Sequence, residues 1–208
     1  YIRDHEASYR RWSASAAVFL PNGRAPQAGE RFVQSDLAAS IQYMIDEEGA
    51  HRGKGPAARV KAARDAFYKG DIARKIARYH EDNGGWVTLA DLAAYDVRFE
   101  TPLRTRFHGI DVYACGPWSQ GPVLPQTLNI LSRFDLKAMG HNSPQYVHTV
   151  VEALKLAFAD RHRYYGDPQF VQVPLEVLLS EGYAAERAKL VRADAAAPGL
   201  PAAGDIAG

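Results

Sequence analysis

The stretch from Asp111 to Leu131, Asp-Val-Tyr-Ala-Cys-Gly-Pro-Trp-Ser-Gln-Gly-Pro-Val-Leu-Pro-Gln-Thr-Leu-Asn-Ile-Leu, constrains the fold more than any other part of the chain. An apolar strand-like run ends in a turn rich in Gly and Pro, and the turn opens directly onto a helix. Gly116 and Gly121 let backbone approach backbone or ligand with no Cβ in the way. Pro122 suits a first helical turn, where no intrahelical amide partner is needed. The turn and the amino end of the helix are expected to point free amides outward, a place to stabilise an anion or wall a pocket. Trp118, Ser119, Gln120 and Gly121 are therefore the candidate substrate-pocket residues, with Trp118 either lining the pocket or packed between layers.

A serine two residues before a glycine, between strand and helix, also resembles the nucleophile elbow of serine hydrolases. The elbow wants a small residue two positions before the serine, and Pro117 stands there. Ser119 thus reads as a turn former or helix cap, with a serine hydrolase using Ser119 kept as the alternative. The single cysteine, Cys115, sits at the strand end and reads as a core residue. It leaves no internal disulfide and an open redox compartment.

Around this corner the hydrophobic periodicity outlines an α+β chain. A charged, aromatic-bearing stretch with helical spacing, Tyr1 to about Ser13, leads to the apolar run Ala16 to Leu20 and the turn Pro21-Asn-Gly23. A helix then begins near Asp36, capped by Ser35 or Asp36, with Leu37, Ile41, Met44 and Ile45 as one buried stripe. Helices follow at Ala57 to Tyr68 and at Asp71 to about Glu81, parted by Gly70 and with Asp71 capping the second. Thr88 opens a short helix, Leu89 to Ala94. Leu103 to Phe107 and Ile110 to Ala114, joined by His108-Gly109, read as a β-hairpin in a sheet at least partly antiparallel.

Pro122 to Phe134 is apolar on nearly all sides and is expected to be buried between layers. Ser143 caps the next helix and Pro144 sits at its first position, with Val147, Val151, Leu154, Ala157 and Phe158 as the buried face through to about Tyr164. Asp160 and Arg161 look catalytic in isolation, but beside Tyr164 and Asp167 at a helix end a structural ion pair and cap is the better reading. A short extended piece, Phe170 to Val173, then gives way to helices near Pro174 to Leu179 and Glu181 to Leu190. Residues 1–192 are read as one domain. From Ala193 to Gly208 the chain turns to Ala, Pro and Gly, too poor in apolar side chains to order itself, and reads as a mobile tail.

The 208 residues suffice for one sizeable core, and 47% hydrophobic with 24% charged residues is ordinary for a globular protein. Twenty-five Lys and Arg against 24 Asp and Glu give a net charge of +1 without a basic cluster, so nucleic acid is not an expected partner. No apolar run approaches the roughly 20 residues a membrane span requires. The seven histidines make no pair at metal-ligand spacing, so neither a metal nor a cofactor is expected. Tyr1 stands where an initiator Met would, which suggests a processed or truncated chain and leaves the compartment open between periplasmic or secreted and cytoplasmic.

A series of pieces in fixed order extends over most of the chain: Ala17-Val-Phe-Leu-Pro-Asn-Gly-Arg24, Gly29-Glu-Arg-Phe-Val-Gln34, Ala66-Phe-Tyr-Lys-Gly70 and Thr88-Leu-Ala-Asp-Leu-Ala-Ala-Tyr95. The strand and turn above follow, then Glu152-Ala-Leu-Lys-Leu-Ala-Phe-Ala-Asp-Arg161, Tyr165-Gly-Asp-Pro168 and Val173-Pro174. In this series the chain resembles the large subunit of the gamma-glutamyltranspeptidase family. That family's turn is a proline run followed by Ser-Ser-Gly-Gly, where this chain has Gly116-Pro-Trp-Ser-Gln-Gly-Pro122, a departure that bears on the substrate.

The resemblance implies a four-layer αββα N-terminal-nucleophile hydrolase fold, completed by a small subunit from the same precursor. In such enzymes the proenzyme cuts its backbone before a threonine, and the new amino-terminal threonine is the nucleophile. Its α-amine, with a free pKa of about 8, takes the hydroxyl proton. No catalytic residue is then expected in this chain, and Gly208 is expected to lie at the self-cleavage point. An arginine that holds the substrate α-carboxylate in the family precedes the part matched here. The function implied is cleavage or transfer of an acyl group from a small amide, a gamma-glutamyl compound such as glutathione or a related acyl amide. A higher oligomer of heterodimers and a degenerate member that only binds both stay open.

Overall fold

The computed structural model describes residues 1–206 and divides into two compact units, Tyr1–Val97 and the chain from Arg98 onward. Gly208, the expected cleavage end, lies outside the described residues.

The first unit is helical: α1 (Glu6–Tyr9), α2 (Ser13–Phe19), α3 (Ser35–Ala50), α4 (Pro56–Tyr68), α5 (Asp71–Asp82) and α6 (Leu89–Ala94). Local rules account for most of these boundaries. Pro56 occupies the first position of α4, where its missing N–H costs nothing. A Cβ at Gly70 would meet the Ala66 carbonyl oxygen at 2.6 Å, so only glycine lets α4 stop and α5 start there. Thr88 Oγ1 accepts from the Asp91 amide at 3.2 Å while an Asp91 carboxylate oxygen accepts from the Thr88 amide at 2.9 Å, the reciprocal cap that opens α6.

Three expectations change in this unit. Gln34 is the N-cap of α3 and makes no side-chain cap bond, so Ser35 and Asp36 fall inside the first turn, where Asp36 meets the positive end of the helix dipole. Asp71 likewise is not a cap: Gly70 holds that position and the Asp71 carboxylate pairs with Arg74. The expected buried stripe of α3 is not buried either. Leu37, Ile41 and Ile45 are each about half exposed. The sheltered side carries Ser40, Tyr43, Met44, Glu47 and Glu48 instead, with Glu48 paired to Arg59 of α4. Apolar spacing located a stripe, but which face α4 covers is decided by pairing across the two helices.

The second unit is α+β. Strands β1 (Leu103–Phe107) and β2 (Ile110–Ala114) form an antiparallel hairpin, Leu103 opposite Ala114 and Phe107 opposite Ile110. Its two-residue turn has φ of +46° at His108 and +83° at Gly109, the left-handed pair that matches strand twist. There follow α7 (Val123–Leu131), α8 (Leu136–Met139), α9 (Pro144–Tyr164), α10 (Leu175–Leu178) and α11 (Glu181–Ala188). Of the stretch expected to be extended, Phe170 lies in a turn and Val171 in a bend, and 172–173 form no strand.

α7 is the hub, packed on β1, α9 and α11; Val123, Pro125, Gln126, Thr127, Ile130 and Leu131 are buried, while Leu124 is half exposed, so the helix is not buried on all sides as expected. Pro125 is tolerated because amides of the first turn have no intrahelical partner to lose. Ile130 and Leu131 join Ala153, Leu156, Ala184 and Ala188 in one core cluster. Ser143 caps α9 as expected, its hydroxyl accepting from the Tyr146 amide at 3.0 Å. The buried face of α9 differs from the expected one: it runs through Thr149, Glu152, Ala153, Leu156, Ala157 and Asp160. Val147 and Val151 lie outside, because hydrogen-bonded polar residues occupy places that an apolar count assigns to valine.

Residues 193–206 form no helix or strand. Backbone hydrogen bonds place them: the Ala197 amide donates to Glu152 at 3.1 Å, Lys155 donates to the Ala197 carbonyl at 2.8 Å, and Gly204 is held at both its amide and its carbonyl.

The corrected face of α9 is testable by truncation. Leu156→Ala, at 3% exposure, should lower the stability of the protein by about 2–5 kcal/mol in denaturant unfolding. Val147→Ala, at 48% exposure, should change it by about 0.5 kcal/mol or less.

Candidate functional site

The site begins with strand alternation. Val112 and Ala114 face the half-buried side of β2, which turns Asp111, Tyr113 and Cys115 outward. Cys115 is accordingly a free, exposed thiol and not a core residue as expected.

Directly after it the chain folds back on itself. A Cβ at Gly121 would sit 1.9 Å from the Cys115 carbonyl oxygen and 2.6 Å from its carbon. No other residue fits this crossing. Three amides here have partners in the protein. Glu100 accepts from the Gly116 amide at 3.2 Å, the Gly116 carbonyl accepts from the Ser119 amide at 3.2 Å, and Ser119 Oγ accepts from the Gly121 amide at 3.0 Å. The amides of Gly116, Ser119 and Gly121 are thus engaged within the protein rather than presented outward.

Ser119 completes that closure. Its hydroxyl donates to the Gly116 carbonyl at 3.1 Å and accepts from Gly121, so both capacities are engaged with its own turn. No imidazole or carboxylate among the described residues hydrogen-bonds it. It has the geometry of a turn former, and lacks the base that an elbow nucleophile needs.

Trp118 projects from the turn at 58% exposure, its indole N–H donating to Glu100 at 2.7 Å. Sequence reasoning missed Glu100, which no motif marks. Only the return of the hairpin brings it back to the turn.

Trp118, Ser119 and Gln120 line a concavity of about 550 Å³, and the opposite wall is the end of α9 with Arg161, His162 and Tyr165. Gly121 is behind this surface, setting the turn rather than lining the pocket. Arg161 lies over the Phe158 ring at 5.7 Å. Its neighbour Asp160 is fully buried and pairs with Arg187 at 3.1 Å, not with Arg161. The expected structural ion pair therefore belongs to Asp160 alone, and Arg161 faces the concavity.

Tyr165 joins the two environments. Its hydroxyl donates to Gln126 at 2.7 Å, and the Gln126 amide group donates to Asp160. Burial first, and the Asp160 charge second, push the Tyr165 hydroxyl well above its ordinary value, so it remains a protonated donor. Chemically the concavity gathers an indole, an amide, an imidazole and a guanidinium, groups that can hydrogen-bond or stack with a polar or anionic small molecule. Among the described residues no three His, Cys, Asp or Glu side chains gather as a metal site would need, and no helix is long and apolar enough to cross a membrane.

An α+β unit with a glycine crossing, a Gly/Pro turn and a buried helix behind it is the class of structure the second unit forms, and comparison with known proteins makes it specific. Residues 1–204 match the gamma-glutamyltranspeptidase family, and the chain belongs to that family. It is 38% identical over 175 residues to the glutathione hydrolase-like YwrD proenzyme of Bacillus subtilis, covering 84% of this chain and 30% of that protein. It is 37% identical over 196 residues to the acylase ACY 1 proenzyme of a Pseudomonas strain, covering 94% and 32%. Among solved structures, the gamma-glutamyltranspeptidase of Helicobacter pylori matches with a TM-score of 0.80 at 29% identity, over 95% of this chain and 53% of that one. The N-terminal-nucleophile hydrolase fold class expected from the resemblance is the one these neighbours share. The chain spans about a third of the length of the curated relatives it matches.

Two substitutions separate turn chemistry from nucleophile chemistry. Gly121→Ala should destabilise by about 1–3 kcal/mol or more through overpacking against Cys115. Ser119→Ala should cost only about 1 kcal/mol, one hydroxyl's hydrogen bonds. Urea unfolding of both variants reads the difference.

Proposed function

We propose that this chain is the pocket-bearing portion of an amide-cleaving or acyl-transferring enzyme whose nucleophile is a threonine at the free amino end of a second chain made from the same precursor. The observation that carries the reading is the corner itself. It builds a recognition wall from Trp118, Gln120 and Arg161, while its one hydroxyl is consumed by the turn.

In the proposed reaction the threonine hydroxyl oxygen attacks the amide carbonyl as its own α-amine takes the proton. The proton passes to the leaving amine, the C–N bond breaks, and an ester to the enzyme remains. Attack by water on that ester gives the free acid, and attack by an amine gives a new amide. The substrate proposed is a small gamma-glutamyl compound such as glutathione, or a related acyl amide. Relatives named both as glutathione hydrolases and as acylases favour this pair of substrates. The departure of the Gly116–Pro122 turn from the family's Ser-Ser-Gly-Gly favours the broader acyl class.

The test uses the full precursor. Intact mass should show two chains, the second beginning with Thr, and the pair should release p-nitroaniline from gamma-glutamyl-p-nitroanilide or from an acyl anilide. Trp118→Ala should raise KM about 2- to 10-fold, the loss of one aromatic contact of about 0.5–1.5 kcal/mol. A fluorophosphonate probe should leave Ser119 unlabelled. Labelling of Ser119 with loss of turnover would instead establish the serine hydrolase, and a single uncut, inert chain would establish a member that only binds.

A further inference from the structure

Strands β1 and β2 make a sheet of two among the described residues, so β1 has a neighbour on one side only. In a two-residue hairpin turn the flanking pair, here Phe107 and Ile110, is the hydrogen-bonded one. Pairs then alternate along the ladder. Arg104 opposite Tyr113 and Arg106 opposite Asp111 are the non-hydrogen-bonded pairs, and on β1 their amides and carbonyls point to the free edge. No main-chain hydrogen bond outside the hairpin reaches Arg104 or Arg106 among the described residues. Neither a bulge nor a proline blunts this edge, because the register runs one to one over the five residues of β1.

The edge opens onto a cationic concavity of about 370 Å³, walled by β1 at Arg104 and Arg106, by Asn129 of α7, by Arg133 just beyond it and by Glu181 of α11. Its charges are unequal. Three guanidiniums, those of Arg104, Arg106 and Arg133, meet two carboxylates. Asp111 is shared, standing 2.9 Å from Arg104 and 3.9 Å from Arg106, while Glu181 lies 3.8 Å from Arg133 with its side chain almost wholly exposed. The floor beneath them is fixed, since Thr105 donates to Asn129 and Asn129 donates to the Leu179 carbonyl.

An open strand edge recruits main chain, and the charges beside it select which chain. A strand laid on β1 would satisfy the amides and carbonyls of Arg104 and Arg106. Side chains of that strand facing Arg106 and Arg133 are favoured as carboxylates, because a like charge opposite them is repelled. This chain spans about a third of the curated relatives it matches, so most of such a protein lies outside it.

Resting on the two-chain reading above, we propose that the free edge of β1 is a docking site for the second chain. An extended segment of that chain pairs with Arg104 and Arg106 through its main chain and sets an Asp or Glu against Arg106 and Arg133. Main-chain bonds supply the affinity and the arginines fix the register.

The experiment uses the full precursor after maturation. Residue-resolved hydrogen exchange should find the Arg104 and Arg106 amides slowed about 100-fold or more against unpaired amides. A carbodiimide, which joins an amine to a carboxylate with no spacer, should couple the Arg106→Lys variant to an Asp or Glu of the second chain, located by peptide mass. Arg106→Glu should weaken association of the two chains about tenfold, and less in high salt. Fast exchange at both amides in the two-chain protein overturns the proposal, and this measurement needs no variant to fold. Coupling confined to Asp111 also overturns it and leaves the arginines as guards of a solvated edge. Coupling to another copy of this chain overturns the choice of occupant. A protein that stays one chain, with both amides slow and coupling to a carboxylate outside residues 1–208, removes the two-chain reading and keeps the docking edge.

Discussion

A carboxylate with no exposure to solvent governs the second unit. Asp160 keeps its charge away from water only because it is met from three directions: the Arg187 guanidinium from α11, the Gln126 amide group from α7 and the Gly204 amide from the carboxyl-terminal segment. Removing one partner of such a pair leaves a buried charge uncompensated, at a cost of about 3–5 kcal/mol. The pair is therefore poor at adding net stability and good at enforcing one arrangement. α7, α9, α11 and residues 202–204 satisfy Asp160 together or not at all.

The concavity inherits its shape from the same network. Tyr165 lines the concavity on one side and donates to Gln126 on the other, so the end of α9 and the helix behind the Gly/Pro turn cannot shift independently. On the turn side the fixed point is steric, Gly121 against the Cys115 carbonyl. A buried charge and a glycine crossing thus hold opposite walls of one cleft, and Trp118, tethered to Glu100, is left standing at its edge.

How much of this the sequence discloses follows from the range of each interaction. Signals completed within four residues were legible: Thr88 with Asp91, Ser143 before Pro144, and the left-handed pair His108-Gly109 between two strands. The family resemblance carried the fold class and the place of the corner. What a single strand of letters does not carry is which face of a helix finds a partner. In α3 the aliphatic stripe and the sheltered stripe are different, and in α9 the buried face holds the expected Ala157 but also Thr149, Glu152 and Asp160 in place of Val147 and Val151. Their partners are Gln145, Lys155, Ala197, Gly204 and Arg187, some of them more than forty residues away. Glu100 escaped notice for the same reason, its bonds spanning 16 and 18 residues to the turn. Cys115 was misplaced by its residue type, which favours burial, although strand alternation alone would have turned it outward.

Asp160 and Arg161 show why adjacent letters can have opposite duties. Successive residues on a helix of about 3.6 residues per turn point about 100° apart, enough near the end of α9 to send one side chain into the core and the next to solvent. Asp160 enters the network that holds Gly204, and Arg161 lines the concavity with Trp118. One turn of helix therefore joins the inner network around Asp160 to the outer concave surface. A substitution at either position changes one of these at first hand, and changes the other only through the rigidity of α9.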